Sequence, residues 1–239
     1  MDTSDRPLSG AGAVSSRSGG ERSFVLRSGR MTDHQKDALG RLYPVYGVPY
    51  APGGRLDPDA LFPGHAGSFV VEIGFGMGAA TALIARALPA TRFLGIEVHA
   101  PGVGKLLAEI ETQGLENLRV MRRDALEVVR DMLPEGSVDG FHVFFPDPWP
   151  KKRHHKRRIM GAEFIRLLAT RLKKGGYLYF VSDWEEYAEW TLERLTAEPL
   201  LANAHERWAP RAPWRPVTKF ERRALEEQRP IRELWFTRL

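Results

Sequence analysis

Apolar residues occur along this chain in two alternating patterns. Short unbroken apolar runs, typical of buried strands, are followed by stretches in which apolar residues recur every three or four positions, as in amphipathic helices. These patterns predict strands at residues 69–73, 93–98, 118–121, 138–145, 177–181 and 231–239, with a weaker candidate near 203–208. Helices are predicted between them, near residues 80–88, 103–110, 125–133, 164–172 and 184–197.

The repeated order of strand and then helix predicts a parallel sheet. Five such units follow one another from residue 69, and parallel strands need crossover connections of this kind. The chain is therefore predicted to be an α/β protein with its main domain over residues 69–239.

The residues before this domain differ from it in composition. Residues 1–21 contain five serines and four glycines and lack the apolar stretch of a secretory signal, so we expect a disordered tail. Residues 22–68 are interpreted as an N-terminal arm that lies across the domain. Within the arm, Thr32 or Asp33 is suited to cap a short helix that runs to about Leu42.

Composition narrows the classes of protein that fit. With 43% hydrophobic and 27% charged residues and no apolar run near the roughly 18 residues of a membrane span, the chain is predicted to be cytoplasmic. The absence of cysteine excludes disulfides, thiolate zinc sites and thiol nucleophiles. The net charge is only +5, but the basic residues are clustered, which favours a polyanionic partner.

The first strand runs into a glycine loop that opens a helix, an arrangement in which the backbone can approach a ligand. Gly74 and Gly76 lie in this loop. Beside it, Glu72 suits the cationic ammonium and sulfonium of S-adenosyl-L-methionine, while Glu97 could accept the ribose hydroxyls and Asp124 the adenine amino group. Because the loop also fits G-x-G-x-x-G/A, a dinucleotide cofactor stays open as an alternative.

The run from residue 144 to 158 joins the end of a strand to a lone carboxylate, a tryptophan and six fixed cations. The neighbouring prolines predict a stiff extended path for Asp147 and Trp149. His154 and His155 would diverge on an extended loop, so phosphate or ribose contact is favoured over a metal site. The cations, for which phosphate binding is predicted, are Lys151, Lys152, Arg153, Lys156, Arg157 and Arg158.

Four segments resemble those of the bacterial tRNA (guanine-N7)-methyltransferase family, within a resemblance that covers about residues 22–239. The segments are residues 72–78, 95–99, 144–149 and 218–221. The resemblance implies a Rossmann-like class I methyltransferase fold with a mostly parallel central sheet, helices on both faces and an antiparallel C-terminal strand. It also implies methyl transfer from S-adenosyl-L-methionine to N7 of a guanine in the variable loop of tRNA.

Residue by residue, the resemblance implies three sets of contacts. Cofactor contacts are expected at Glu72, Gly74, Gly76, Glu97, Asp124 and Asp147, of which Asp147 is also the catalytic candidate. Substrate contacts are expected at Lys151, Asp183, Thr218, Lys219, Phe220 and Glu221. RNA contacts are expected at Arg153, His154, His155, Lys156, Arg157 and Arg158. We expect no metal site, no membrane association and no obligate protein partner, and a monomer or a homodimer.

The chemistry of guanine N7 agrees with this interpretation. N7 has an exposed lone pair and no proton, so methyl transfer needs alignment more than a general base. The product purine is positively charged, and a fixed carboxylate such as Asp147 stabilises that developing charge. Asp147 or Asp183 could also accept hydrogen bonds from guanine. Stacking of the base on Trp149 or Phe220 would be worth about 1 to 3 kcal/mol.

Two other classes of function stay open on the sequence. One is an NAD(P)-dependent oxidoreductase that uses the glycine loop, and the other is a non-catalytic RNA-binding protein. Among methyltransferases, exocyclic-amine methylation stays open because residues 146–149 loosely resemble the Asp-Pro-Pro-Tyr loop of adenine-N6 enzymes. Carbon-5 methylation of pyrimidines and radical methylation are excluded because both need cysteine.

Overall fold

The computed structural model describes residues 30–239, in which seven strands form one sheet. The strands are β1 (Phe69–Ile73), β2 (Arg92–Ile96), β3 (Leu118–Met121), β4 (Val138–Phe144), β5 (Leu172–Ser182), β6 (Leu201–Asn203) and β7 (Arg232–Arg238). Their order is β3-β2-β1-β4-β5-β7-β6; β1 to β5 are parallel, and β7 is antiparallel to both of its neighbours. The mostly parallel sheet with an antiparallel C-terminal strand is thereby confirmed. The predicted tail at residues 1–21 and the start of the arm lie outside the described residues.

Helices cover both faces of this sheet, as predicted. On one face, α5, α6 and α7 pack on the side chain of Val71; on the other face, α1, α3 and α4 pack on the side chain of its neighbour Val70. Neighbouring residues of a strand point to opposite faces, so the sheet separates two apolar cores. The helices of the described range are α1 (Asp33–Tyr46), α2 (Pro58–Leu61), α3 (Ala79–Ala87), α4 (Ala100–Gln113), α5 (Ala125–Asp131), α6 (Ala162–Arg171), α7 (Glu185–Ala197) and α8 (Lys219–Glu226). Across residues 30–239, none of them has both the length and the apolar character needed to cross a membrane.

The described part of the N-terminal arm is built around α1, which packs on α4. Thr32 caps α1 by accepting a hydrogen bond from the Gln35 backbone, and the Gln35 side chain returns one to the Thr32 N–H, a complete capping box. The helix continues through Pro44 to Tyr46 rather than ending near Leu42. The two helices approach so closely that a Cβ on Gly104 would lie 2.4 Å from the Gln35 carbonyl oxygen.

Two strands, β5 and β6, differ most from their predicted bounds, while β2, β4 and β7 differ by one or two residues at an end. β5 begins at Leu172, where the sequence predicted the end of a helix, because Leu172 pairs with Val138 while Tyr177 pairs with Gly140. The extra residues form an irregularity that contains Gly175 at a φ of 77°. The weak strand expected near 203–208 is instead the short edge strand β6, which pairs with β7.

A buried guanidinium ties the C-terminal segment to the sheet. The side chain of Arg215 is 1% exposed, and its NH1 and NH2 groups each lie 2.7 Å from a carboxylate, that of Glu221 on α8 and that of Glu233 on β7. Arg215 Nε also donates to the hydroxyl of Tyr179 on β5, at 3.1 Å, and this hydroxyl bonds Glu233. Charge, hydrogen bonds and burial therefore fix α8 relative to two strands.

Replacing Arg215 by leucine should destabilise the protein by about 3–5 kcal/mol, because Glu221 and Glu233 would be left buried without a cation. Arg211→Leu is the matched control, since the Arg211 guanidinium is 46% exposed and lies 3.9 Å from the same Glu221. That change should cost no more than about 1 kcal/mol. Urea unfolding measures both, and equal losses would contradict the assignment of Arg215 as the anchor.

Candidate active site

A cavity of about 910 Å³ lies at the carboxyl ends of β1, β2 and β4. The strand order reverses between β1 and β4, and open α/β sheets bind ligands at such a point. The cavity is lined by the glycine loop after β1, the ends of β2 and β4, the start of α5 and the segment that leads into α8. All of the predicted cofactor residues line it: Glu72, Gly74, Gly76, Glu97, Asp124 and Asp147.

The glycine loop presents bare backbone to this cavity. Gly74 and Gly76 adopt left-handed φ values of 73° and 59°, which residues with a Cβ rarely adopt. Helix α4 lies against the loop so closely that a Cβ on Gly102 would lie 1.9 Å from the Gly76 carbonyl oxygen. The loop is therefore shaped by its own packing before any ligand is bound.

Glu97 is held in place by backbone donors at the end of β2. Its Oε2 accepts a hydrogen bond from the Gly76 N–H at 2.8 Å, and its Oε1 accepts from Val98 at 2.7 Å and from His99 at 2.9 Å. A carboxylate has about four lone-pair sites, so one remains for a ligand hydroxyl. This fits the predicted contact with a ribose.

Glu72 is the buried carboxylate of the cavity. It is 3% exposed, and its Oε2 has no hydrogen-bond partner among the described residues. Burial raises the pKa of Glu72 to about 7, and the nearby charge of Glu97 adds to the increase. A cationic ligand would satisfy this oxygen and favour its charged form, whereas a pyrophosphate would be repelled. The site thus fits the sulfonium and ammonium of S-adenosyl-L-methionine better than a dinucleotide.

Asp124 caps the helix that begins beside β3. Its carboxylate accepts a hydrogen bond from the Leu126 N–H at 2.9 Å, and burial raises its pKa. The carboxylate lies half-buried at the cavity wall, within reach of a ligand amino group. Its contact with adenine stays a prediction.

The loop that carries Asp147 leaves the extended conformation at Trp149. The φ of Trp149 is a left-handed 45°, so the predicted extended path is wrong at this residue, and for Asp147 it stays a prediction. Phe145, just after β4, has a φ of 50°, and both values are genuine outliers for bulky residues. The Phe145 N–H bonds the Val181 carbonyl at 2.8 Å and fixes the entry to the loop. Asp147 lies exposed between them at the rim of the cavity.

Arg158 is not a surface cation, and its predicted RNA contact is wrong for that reason. Its residue is 3% exposed, and its Nε donates to the Pro148 carbonyl of the Asp147 loop at 2.9 Å. The guanidinium forms a two-pronged ion pair with Glu186 on α7 and lies 4.8 Å from the ring centre of Tyr187. Arg158 therefore anchors the Asp147 loop to α7.

The other basic residues of the run form a 3-10 helix at Lys152–Arg157. The prediction of an extended loop for His154 and His155 is therefore wrong. Lys151 precedes this helix, and the exposed members of the group are Lys151, Lys152, Arg153 and Lys156. The Arg157 guanidinium lies 5.1 Å from the ring centre of Trp149, which contacts the basic helix and not the cavity.

The segment at residues 218–221 begins α8, a helix that the apolar pattern did not predict. Thr218 caps this helix by accepting a hydrogen bond from the Glu221 N–H at 3.0 Å. The Thr-x-x-Glu spacing is a capping-box signal, so the sequence did contain this information. Lys219 and Phe220 are exposed at the cavity, and Phe220 stacks on Phe145 with ring centres 6.5 Å apart. Glu221 is not among the residues that line the cavity, and its buried carboxylate is bound to Arg215, so direct substrate contact by that carboxylate is not supported.

Asp183 lies outside the lining of this cavity. Its carboxylate is half-buried and forms an ion pair with Arg229, which also donates to the Asp183 carbonyl. The structure therefore brings Asp147 to the cavity but leaves the substrate contact of Asp183 as a prediction.

Comparison with known proteins agrees with this geometry. The model of a family described as "Putative methyltransferase" matches residues 66–234, more than half of the chain. The chain is 51% identical over 217 residues to the tRNA (guanine-N(7)-)-methyltransferase of Methylobacillus flagellatus, covering 91% of each. It is 54% identical over 219 residues to the protein of that name from Aromatoleum aromaticum, covering 91% of this chain and 83% of that protein. The solved structure of the 16S rRNA methyltransferase KamB has a TM-score of 0.55 at 18% identity, covering 79% of this chain and 98% of that one, which shows a shared fold.

The raised pKa of Glu72 predicts an unusual pH dependence of stability. Between pH 4.5 and about 7 the folded protein keeps a proton on Glu72 that the unfolded chain has lost, so this residue lowers the free energy of unfolding as the pH rises. Glu72→Gln should remove that decrease, and the variant should gain stability relative to the wild type across this range. Urea unfolding at a series of pH values measures it, with the exposed Glu116→Gln as control. Parallel curves for Glu72→Gln and the wild type would contradict the prediction.

Proposed function

The chain belongs to the tRNA (guanine-N7)-methyltransferase family, and we propose that it methylates N7 of a guanine in the variable loop of tRNA. It is an enzyme, and its methyl donor is S-adenosyl-L-methionine. Because the substrate is tRNA, we also propose that the reaction takes place in the cytoplasm. The observation that carries the proposal is the position of Asp147 at the rim of the cavity whose interior holds Glu72 and Glu97.

The interior of the cavity binds the cationic end of the methyl donor. Glu72 provides a buried carboxylate oxygen that has no hydrogen-bond partner within residues 30–239, and Glu97 is fixed by three backbone N–H groups beside the glycine loop. S-adenosyl-L-methionine supplies an electrophilic methyl group on its sulfonium. The protein contributes orientation, because displacement at that carbon requires the nucleophile in line with the leaving sulfur.

Asp147 acts on the base rather than as a proton acceptor. Guanine N7 has no proton to lose, and the purine acquires positive charge as the new bond forms. A carboxylate fixed beside it stabilises the transition state more than the neutral ground state. The left-handed backbone at Phe145 and Trp149 and the bond from Arg158 to Pro148 hold Asp147 in this position before the substrate arrives.

Phe220 is the aromatic surface available for the base. It is 67% exposed at the cavity and supported from behind by Phe145. Stacking on one ring is worth about 1 to 3 kcal/mol and tolerates any base, so it holds guanine without selecting it. Trp149 is engaged by Arg157 and His154, which leaves Phe220 as the better candidate.

The direct test is methyl transfer to tRNA from labelled S-adenosyl-L-methionine, followed by nucleoside mapping. We expect the label in N7-methylguanine of the variable loop. Asp147→Asn should lower kcat by about a hundredfold or more, because the variant keeps the shape but loses the charge that opposes the developing cation. Its affinity for tRNA should stay nearly unchanged.

The exposed Asp37→Asn is the matched control and should retain wild-type turnover. Label in an adenine N6 position would support the exocyclic-amine alternative. A folded wild-type enzyme that leaves the tRNA unlabelled would overturn the proposed function.

A further prediction distinguishes the exposed Arg153 from the buried Arg158 of the basic run. Arg153→Gln should weaken tRNA binding and change the free energy of unfolding by no more than about 0.5 kcal/mol, because the residue is exposed. Arg158→Gln should cost about 2 kcal/mol or more of stability, since it loses a charge-assisted hydrogen bond and contacts with aromatic rings. Filter binding and urea unfolding measure the pair, and the reverse pattern would contradict both assignments.

A further inference from the structure

Two cations on α8 lie at the rim of the active-site cavity without acidic partners. Lys219 and Arg222 are exposed and line the cavity, and in the part of the chain that the structure describes neither forms an ion pair. Some other exposed arginines of the same range do have carboxylate partners, namely Arg41, Arg130, Arg207 and Arg223. The α8 rim therefore presents positive charge that the protein itself does not neutralise.

These cations do not serve to stabilise the helix. Lys219 and Arg222 lie in its first turn, where the helix dipole disfavours positive charge. The helix is secured by other means, the Thr218 cap and the ion pair between Glu221 and Arg215. Since the Glu221 carboxylate is bound to Arg215, the acidic residue of the same helical turn does not pair with either cation. The side of α8 that faces the cavity is therefore set by buried contacts and is basic.

The charges of the cavity are partly separated by depth. Glu72, 3% exposed, and the half-buried Glu97 and Asp124 form its interior, and the half-buried cations Lys105 and Arg123 line it as well. Lys219 and Arg222 lie exposed at its mouth, where Asp147 is the exposed acid. A cationic small molecule bound inside and a polyanion bound outside match this arrangement. A second small cationic ligand would be repelled at the mouth.

We propose that Arg222 extends the substrate contact expected at Lys219 into a phosphate-binding edge on α8 that holds the RNA backbone next to the target guanine. The inference rests on the proposed function and adds a second RNA contact to the basic 3-10 helix at Lys152–Arg157. The RNA is then bound by two segments that are far apart in sequence, and the stacking ring of Phe220 belongs to the same first turn of α8 as the two cations. Arg223 also lines the cavity, but its ion pair with Glu227 makes it the weaker contact.

The test is the salt dependence of tRNA binding by Arg222→Gln. Each phosphate contact contributes a slope of about 0.7 to 0.9 in the logarithm of affinity against the logarithm of salt. A fourfold increase in salt should therefore weaken the variant about threefold less than the wild type. The KM for tRNA should rise while kcat and the affinity for S-adenosyl-L-methionine stay unchanged, because Arg222 touches only the RNA backbone.

Arg86→Gln is the matched control, since Arg86 is exposed on α3, has no ion pair in the described range and lies outside the cavity. It should reproduce the wild-type slope, and thermal unfolding checks that both variants are folded. A wild-type slope for Arg222→Gln would overturn the inference, as would a loss of affinity with the slope unchanged. Either result leaves the proposed function intact if the wild-type enzyme still produces N7-methylguanine, whereas failure of that product overturns the function itself.

Discussion

The burial of one carboxylate in a cavity that it shares with three other acids is the constraint on which the active site depends. The reversal of strand order brings Glu72, Glu97 and Asp124 to one place, and the Asp147 loop after β4 adds a fourth acid. Backbone N–H groups satisfy Glu97 and Asp124, but Glu72 has an oxygen with no partner in the described range. In the absence of a ligand its charge is suppressed by protonation, as its raised pKa indicates. A bound cation would therefore stabilise the charged form of Glu72, which burial disfavours when no ligand is present.

Two buried arginines stabilise the two segments of the site that lie outside the parallel sheet, namely the Asp147 loop and α8. Arg158 bonds the Pro148 carbonyl and pairs with Glu186, which stabilises a loop with left-handed backbone at Phe145 and Trp149. Backbone outliers of that kind cost about 1 to 3 kcal/mol each and persist only where the surroundings determine them. Arg215 does the same for α8 through charge and hydrogen bonds. Both rim segments thus depend on guanidinium groups that never reach the substrate.

The sheet could be predicted from the sequence because its cause is local. Apolar runs and helical spacings recur within a few residues, and the carboxyl ends of β1, β2 and β4 follow from chain order. The role of Arg158 could not be predicted in this way. It adjoins Arg157 in one basic run, and its burial depends on Glu186, 28 residues later, and on aromatic rings of the same helix. The helix α8 was predictable in principle from its capping signal, but the burial of Glu221 depends on Arg215 and the sheet.

The different depths of the acids in the cavity distinguish the position of the positive charge before methyl transfer from its position afterwards. Methyl transfer moves one positive charge from the sulfonium, beside the carboxylates of the interior, to a purine beside Asp147 at the rim. The interior then loses a favourable partner at the moment when Asp147 gains one. Glu72 is buried, so the positive charge leaves a site where desolvation makes the charged carboxylate costly. Asp147 is exposed, so the charge arrives at a site where solvent also stabilises the carboxylate. The four acids of the cavity are therefore not equivalent, and under the proposed function their depth matches Glu72 to the donor and Asp147 to the methylated base.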